Sequence, residues 1–222
     1  MDPHPLALAH RTFFEPTWDL HLGWENARFV VLDTEATGLD VKRDHIVSYG
    51  AVGVSHFQIY LDDSFEALVP FVHNTSSVAV HGITREQAEA GMPEDEALEQ
   101  FLNYLRDGVI VGHHINHDIE MINAACRRNF GFTMRNLSVD TMGLALRLAD
   151  AGALNEDQLR RDFSLDGLSR FFRVRPADRH TAAGDAFITA QIFLRLLKIA
   201  KRLSWLRLGQ LTQVYQPPES SG

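Results

Sequence analysis

The segment that most constrains the fold is Phe29-Val-Val-Leu-Asp33, a short apolar run rich in β-branched and aromatic residues that ends on a carboxylate and passes into Thr34-Glu35-Ala36-Thr37-Gly38-Leu39. A run of this kind reads as a buried strand closing in a turn. Side chains alternate along a strand, so Asp33 and Glu35, two apart, point to the same face at its end. Two like charges so placed repel, and they persist either by facing water or by sharing a hard divalent cation with oxygen ligands. An isolated Asp-x-Glu is most simply a solvated strand end, so the rest of the chain has to decide between the two.

The strand pattern continues through residues 45–56 and 57–61 and reappears in Val109 to Val111. Helical spacing marks Thr84 to Glu89 and Glu94 to Leu105, then a helix after Asn116 carrying Met121, Ile122 and Ala125. Leu144 to Leu148, Leu165 to Phe172 and a long last helix with Ala186, Ala190, Phe193 and Leu197 follow. Strands early and helices late predict an α/β fold with a mixed sheet. With 222 residues, 45% of them hydrophobic, one core is expected. The expected organisation is an arm over 1–27, in which Trp18, Leu20, Leu22 and Trp24 alternate as in an extended segment, a domain over 28–203, and an extension over 204–222 whose Pro/Ser/Gly tail buries too little apolar surface to order.

The single cysteine, Cys126, permits no internal disulfide, and the start MDPHPLALAH lacks a basic, apolar export signal, so a cytoplasmic location is expected. No apolar stretch reaches the roughly 20 residues that cross a bilayer, because Gln191, Arg195, Lys198 and Lys201 interrupt 188–203. A formal net charge of -8 argues against coating long nucleic acid by counterion release, yet leaves room for a small, metal-bridged site.

Asp118 shares a helical stripe with Met121, Ile122 and Ala125, which places its carboxylate toward the core, although helix N-terminal electrostatics also favour an Asp there. Asp185 repeats the arrangement with Ile188 and Ile192, and Ala182 and Gly184 leave room for the helix to approach the sheet. His180, five residues earlier, would sit beside such carboxylates, where an imidazole can take a proton from water. Arg127, Arg128 and Arg135, and then Arg170, Arg173, Arg175 and Arg179, could flank an acidic site or be plain solvated charge. His113, His114 and His117 raise a zinc site as a rival, though no cysteine or third suitably spaced ligand completes it locally.

Taken in order, Asp33-Thr-Glu35-Ala-Thr-Gly-Leu39, Gly112-His113-His114-Ile-Asn-His117-Asp118 and His180-Thr-Ala-Ala-Gly-Asp185 resemble the three motifs of the DEDDh 3′–5′ exonucleases, the family of RNase T and the DNA polymerase III epsilon subunit. Val80-His81-Gly-Ile-Thr84 is similar to its substrate-loop motif, and Val139-Asp140-Thr141 and Leu165-Asp-Gly-Leu168 to its structural segments, so the resemblance spans about residues 28 to 200. The chain departs from the pattern at His114, where Asn is usual, at His117, where an aromatic residue is usual, and at Ala36, where many relatives have Thr.

The resemblance implies a ribonuclease H-like fold with a mixed five-stranded sheet flanked by helices. It implies two divalent ions, Mg²⁺ or Mn²⁺, held by Asp33, Glu35, Asp118 and Asp185, with His180 as the base for the attacking water. Thr34, Thr37, Gly38, Leu39 and His81 would hold the terminal nucleotide, Leu39 as a wedge against its base. The implied substrate is a single-stranded or frayed DNA 3′ end, with RNA 3′-end trimming as the alternative. A reading from another class is a non-catalytic module that docks a polymerase or a sliding clamp, for which Gln210-Leu-Thr-Gln-Val-Tyr215 vaguely resembles a clamp-binding peptide.

Overall fold

The computed structural model describes residues 18–70 and 90–216. Its sheet comprises β1 (Phe29–Ala36), β2 (Ile46–Ser55), β3 (Gln58–Leu68), β4 (Val109–Gly112) and β5 (Ser138–Asp140), in spatial order β3-β2-β1-β4-β5. β2 is antiparallel to β1 and to β3, whereas β4 and β5 run parallel to β1, so the sheet is mixed, as the strand and helix pattern predicts. The helices are α1 (Glu94–Leu105), α2 (Asn116–Phe130), α3 (Thr141–Asp150), α4 (Glu156–Leu159), α5 (Leu165–Phe172), α6 (Ala182–Arg202) and α7 (Leu208–Leu211).

β1 divides the core by parity. Phe29 and Val31 pack with Ile188, Phe193 and Leu196 of α6, while Val30 and Leu32 pack with Leu98 and Phe101 of α1 and Met121 and Ile122 of α2. A central strand buried on both faces needs apolar residues at both parities, which explains why the run is continuous rather than alternating. That parity carries on past the core: Asp33 and Glu35 follow Phe29 and Val31 toward the α6 side, and Thr34 follows Leu32 toward the α2 side.

Two close approaches fix the helix starts. Gly50, which pairs with Asp33 across β1 and β2, would carry a Cβ 2.2 Å from the backbone of Ala182, so only glycine lets α6 begin against the sheet there. Thr181 caps that helix by accepting from the Gly184 amide at 3.1 Å, a cap typically worth about 1 kcal/mol. α2 ends on Gly131 in the left-handed conformation (φ 74°), where an L side chain would be strained.

Two elements differ from the sequence reading. β3 runs to Leu68 rather than stopping at Leu61, because its half-exposed residues follow no clear apolar alternation. The segment from Trp18 to Trp24 is turns leading into a single 3₁₀ turn (Trp24–Asn26) instead of a continuous extended arm: Trp24 is fully buried against Phe57 and donates its indole N–H to the Trp205 carbonyl, while Leu20 is exposed. Backbone bonds from Leu208 and Gly209 to Leu22 and Leu20 join this segment to the C-terminal stretch. The helix expected over residues 84–89 lies outside the described residues. Among the described residues no helix is long and apolar enough to cross a membrane.

Candidate active site

The end of β1 and the first turn of α6 bring Asp33, Glu35 and Asp185 together, with one carboxylate oxygen from each within 4.8 Å of the others. Hard oxygen donors at this separation suit a divalent cation such as Mg²⁺ or Mn²⁺, so the residues fit the ions that the motifs imply. Asp185 is buried at 7% exposure, and Asp33 and Glu35 are half-buried. Burial holds the Asp33 carboxyl well above the usual carboxylate range, with the charges of Asp118, Glu35 and Asp185 adding to the effect and Arg179 opposing it.

Asp118 joins from the opposite side of the sheet. It stands in the first turn of α2, is buried, and accepts at one oxygen from the Thr34 amide (2.9 Å) and the Thr34 hydroxyl (2.7 Å). Burial raises its carboxyl above the ordinary value, and these two bonds pull it back. Thr34, expected against the nucleotide, therefore spends both donors on Asp118.

His180 lies in the turn just before the Thr181 cap, exposed and with a positive φ of 63°. It is on the loop expected of it, next in sequence to Arg179, whose hydrogen bond holds the Asp166 carboxyl below the ordinary value.

The loop after β1 is organised by Asp44, which the motif reading did not single out. Its carboxylate accepts from the Thr37 hydroxyl (2.8 Å) and the Asp40 amide (2.8 Å), and a Cβ on Gly38 would collide with it at 2.5 Å. The neighbouring Leu39 is consequently turned out to solvent, 84% exposed. The only sequence signal for this was Asp-x-x-x-Asp inside a turn-forming segment, too common to stand out. His81 lies outside the described residues.

Arg179 is the second residue that the motifs leave out. Its guanidinium sits 2.5 Å from both oxygens of Asp185 and donates through Nε to Asp166 at 2.9 Å. It thereby clips the start of α5 to the start of α6 and places a cation beside the three-carboxylate cluster.

The histidine cluster does not assemble a zinc site. His113 Nδ1 pairs with the Thr141 hydroxyl at 3.0 Å, its ring meets that of His114 edge-on, and among the described residues no grouping of metal-ligand atoms includes these histidines. Of the other arginines, Arg128 is committed to Glu94.

The RNase_T family model, described as an exonuclease family, matches residues 30–193. The chain is 33% identical over 190 residues to a DNA polymerase III of PolC type from Thermotoga petrophila, covering 85% of this chain but 13% of that protein. It is 30% identical over 172 residues to the DNA polymerase III subunit epsilon of Aquifex aeolicus, covering 77% of this chain and 80% of the relative. Among solved structures, E. coli Exonuclease I in complex with a dT13 oligonucleotide superposes with a TM-score of 0.66 at 16% identity, over 81% of this chain and 43% of the other. Cell-death related nuclease 4 superposes with a TM-score of 0.64 at 15% identity, over 78% and 64%. The five-stranded mixed sheet flanked by helices is thus the ribonuclease H-like fold expected of the motifs. The chain spans only about an eighth of the length of the PolC-type relatives, so it corresponds to one of their parts. Three motifs in register on this fold, together with the matched residues, place the chain in the RNase_T exonuclease family.

Proposed function

We propose that the chain hydrolyses phosphodiester bonds at the 3′ ends of single-stranded or frayed DNA, releasing nucleoside 5′-monophosphates one at a time. The observation that carries this reading is the gathering of Asp33, Glu35 and Asp185 within 4.8 Å at the junction of a strand end and a helix start. Family membership supports the reaction class, and the relatives that are DNA polymerase III proteins support DNA over RNA.

In this reading Asp33, Glu35 and Asp185 hold one Mg²⁺ or Mn²⁺, and Asp33 helps to hold a second. Bound divalent ions supply positive charge to the scissile phosphate and to the departing 3′ oxygen, and make water a better nucleophile. Asp118, fixed by Thr34, completes the negative cage directly or through water. His180 accepts a proton at an imidazole nitrogen from the attacking water; its exposed position on the turn leaves that nitrogen reachable. Water oxygen bonds to phosphorus, the bond to the 3′ oxygen of the preceding nucleotide breaks, and that oxygen takes up a proton. Leu39, held out by the Asp44 turn, wedges against the terminal base, with Thr37 and Gly38 beside it.

RNA trimming remains the second enzymatic reading, because no residue named above discriminates a 2′-hydroxyl. A purely docking role fits less well with a complete carboxylate set, and a clamp peptide in 210–215 fits less well with Leu211, which is buried at 1% exposure. Association with a DNA polymerase is supported by the kind of relatives found.

The test is incubation with single-stranded DNA and RNA labelled at the 5′ or the 3′ end, in Mg²⁺, Mn²⁺ or EDTA. A metal-dependent ladder shortening from the 3′ end, faster on DNA, is the expected result. Cleavage from the 5′ end, or persistence of all substrates in both metals, would reject the reading.

A further inference from the structure

Away from the carboxylates, arginines collect around α4 and α5. A crevice of about 370 Å³ is rimmed by Asp166, Arg170, Arg173 and Arg175, and a second of about 380 Å³ by Arg160, Arg170 and Phe171. Arg170 belongs to both, so the two form one track. The track begins at the candidate active site, because Asp166 on its rim shares Arg179 with Asp185.

Part of the charge here is available: Arg170 is paired with Asp162, which also lines the second crevice, but its neighbours are not so committed. Arg28 is paired with Asp63, Arg128 with Glu94, and Arg147 is bonded to carbonyls of the C-terminal stretch. Arg160, Arg173 and Arg175 are exposed and make no ion pair among the described residues. In a chain of net charge -8, free guanidinium groups leading from an acidic centre are a local reversal of sign.

The backbone adds an independent point. Of the arginines lining the crevices, Arg160 and Arg173 sit in the left-handed region, each with φ of 54°, at helix ends where glycine would be free of strain. A cation at a helix C-terminus recovers part of that cost but not all of it, and a glycine would incur none. The chain thus keeps two track arginines where its backbone would prefer their absence.

We propose that this arginine track binds the phosphate backbone of a single-stranded polynucleotide on the 5′ side of the terminal nucleotide. Guanidinium forks match phosphate bidentately, and the half-buried Phe171 on the second crevice offers an aromatic edge to an unstacked base. The identity of the strand rests on the exonuclease reading; the presence of a phosphate track does not. Because the track lies beyond the reacting phosphate, it sets affinity for long strands and leaves chemistry on the last linkage alone.

The test pairs two measurements on the full chain. Binding of a labelled oligothymidylate is followed by anisotropy over a salt series in Ca²⁺, and hydrolysis of a small chromogenic nucleoside phosphodiester is followed in Mn²⁺. The double variant Arg173→Gln, Arg175→Gln is expected to bind the oligonucleotide on the order of tenfold more weakly, and the slope of log affinity against log salt should fall by about 1.4, the share of two phosphate contacts on a single strand. Its hydrolysis of the small substrate should match the wild type, which also verifies folding. The same replacements at Arg127 and Arg135, which line neither crevice, should change neither quantity. An unchanged salt slope in the Arg173, Arg175 variant overturns the track whether or not the wild type hydrolyses anything. Wild-type inertness toward the chromogenic substrate and toward the oligothymidylate once Mn²⁺ replaces Ca²⁺, with the slope still falling in the variant, would sink the hydrolytic reading and uphold the track.

Discussion

One oxygen of Asp118 accepts both the amide hydrogen of Thr34 and its hydroxyl hydrogen, so the residue between the two motif carboxylates of β1 is what anchors the carboxylate of α2. The parity of β1 requires this: Asp33 and Glu35 face α6, and Thr34 faces the other way. Replacing Thr34 by Val removes one of the two bonds without changing shape. Burial then raises the Asp118 carboxyl further, and since the ionised form is the useful one, the acid limb of the pH–rate profile should move to higher pH, with activity below neutrality down about tenfold, the effect of one charged hydrogen bond. Identical profiles for the two proteins would remove Asp118 from the site.

The carboxylate cluster should destabilise the protein that it equips. A carboxyl held above its ordinary value binds its proton more tightly in the folded state, so stability falls as pH rises from the unfolded value through the folded one, and the loss is complete only above the folded one. In EDTA at neutral pH, Asp33→Asn should therefore melt a few degrees higher than the wild type while being inactive. Added Mn²⁺ should raise the melting temperature of the wild type and leave the variant unmoved, as differential scanning calorimetry will report.

Arg179 bonds both oxygens of Asp185, so a metal ion held there as proposed would have to compete with it. Arg179→Gln should bind Mn²⁺ more tightly by isothermal calorimetry, because no guanidinium has to be displaced, and should lose about 1–3 kcal/mol of stability in EDTA from the unpaired, nearly buried carboxylate. Weaker metal binding in the variant would mean that Arg179 supports the metal site instead of opposing it.

His113 contributes through stability. Burial and then the neighbouring His114 push its imidazole down to about 4, so it stays neutral in the folded protein while the unfolded chain protonates near the ordinary 6.5. The stability that this provides is complete above 6.5 and is lost as pH falls from there toward about 4. His113→Gln, which keeps a donor for Thr141, should flatten the fall in unfolding free energy between neutral pH and pH 4 measured by urea titration. A curve of unchanged steepness would place the ring in water.

Much of this was legible in the chain. The Phe29–Asp33 run and the helical stripes of Asp118 and Asp185 reveal where these carboxylates lie because core burial imposes strict periodicity on both sides of each charge. Ala182 was read correctly as a place of close approach to the sheet, whereas Gly184 closes instead on the Asp178 carbonyl; the sheet partner, Gly50, sits in a run of small and apolar residues where nothing marks it. β5 is only three residues long, too short for a pattern, and emerges from the motif rather than from spacing. That Asp118 arrives from the far face, and that Arg179 and Asp44 hold the site's edges, depends on how elements meet in space, which local sequence does not encode.

The central claim is that the Asp33, Glu35 and Asp185 cluster carries metal-dependent hydrolysis at a 3′ end. The most direct measurement is the single-turnover rate of mononucleotide release from 5′-labelled single-stranded DNA at saturating Mn²⁺, for the wild type and Asp33→Ala side by side. The wild type should release mononucleotides and the variant should lose at least a thousandfold, on the order of 4 kcal/mol of transition-state stabilisation. Equal rates in the two proteins would contradict the central claim.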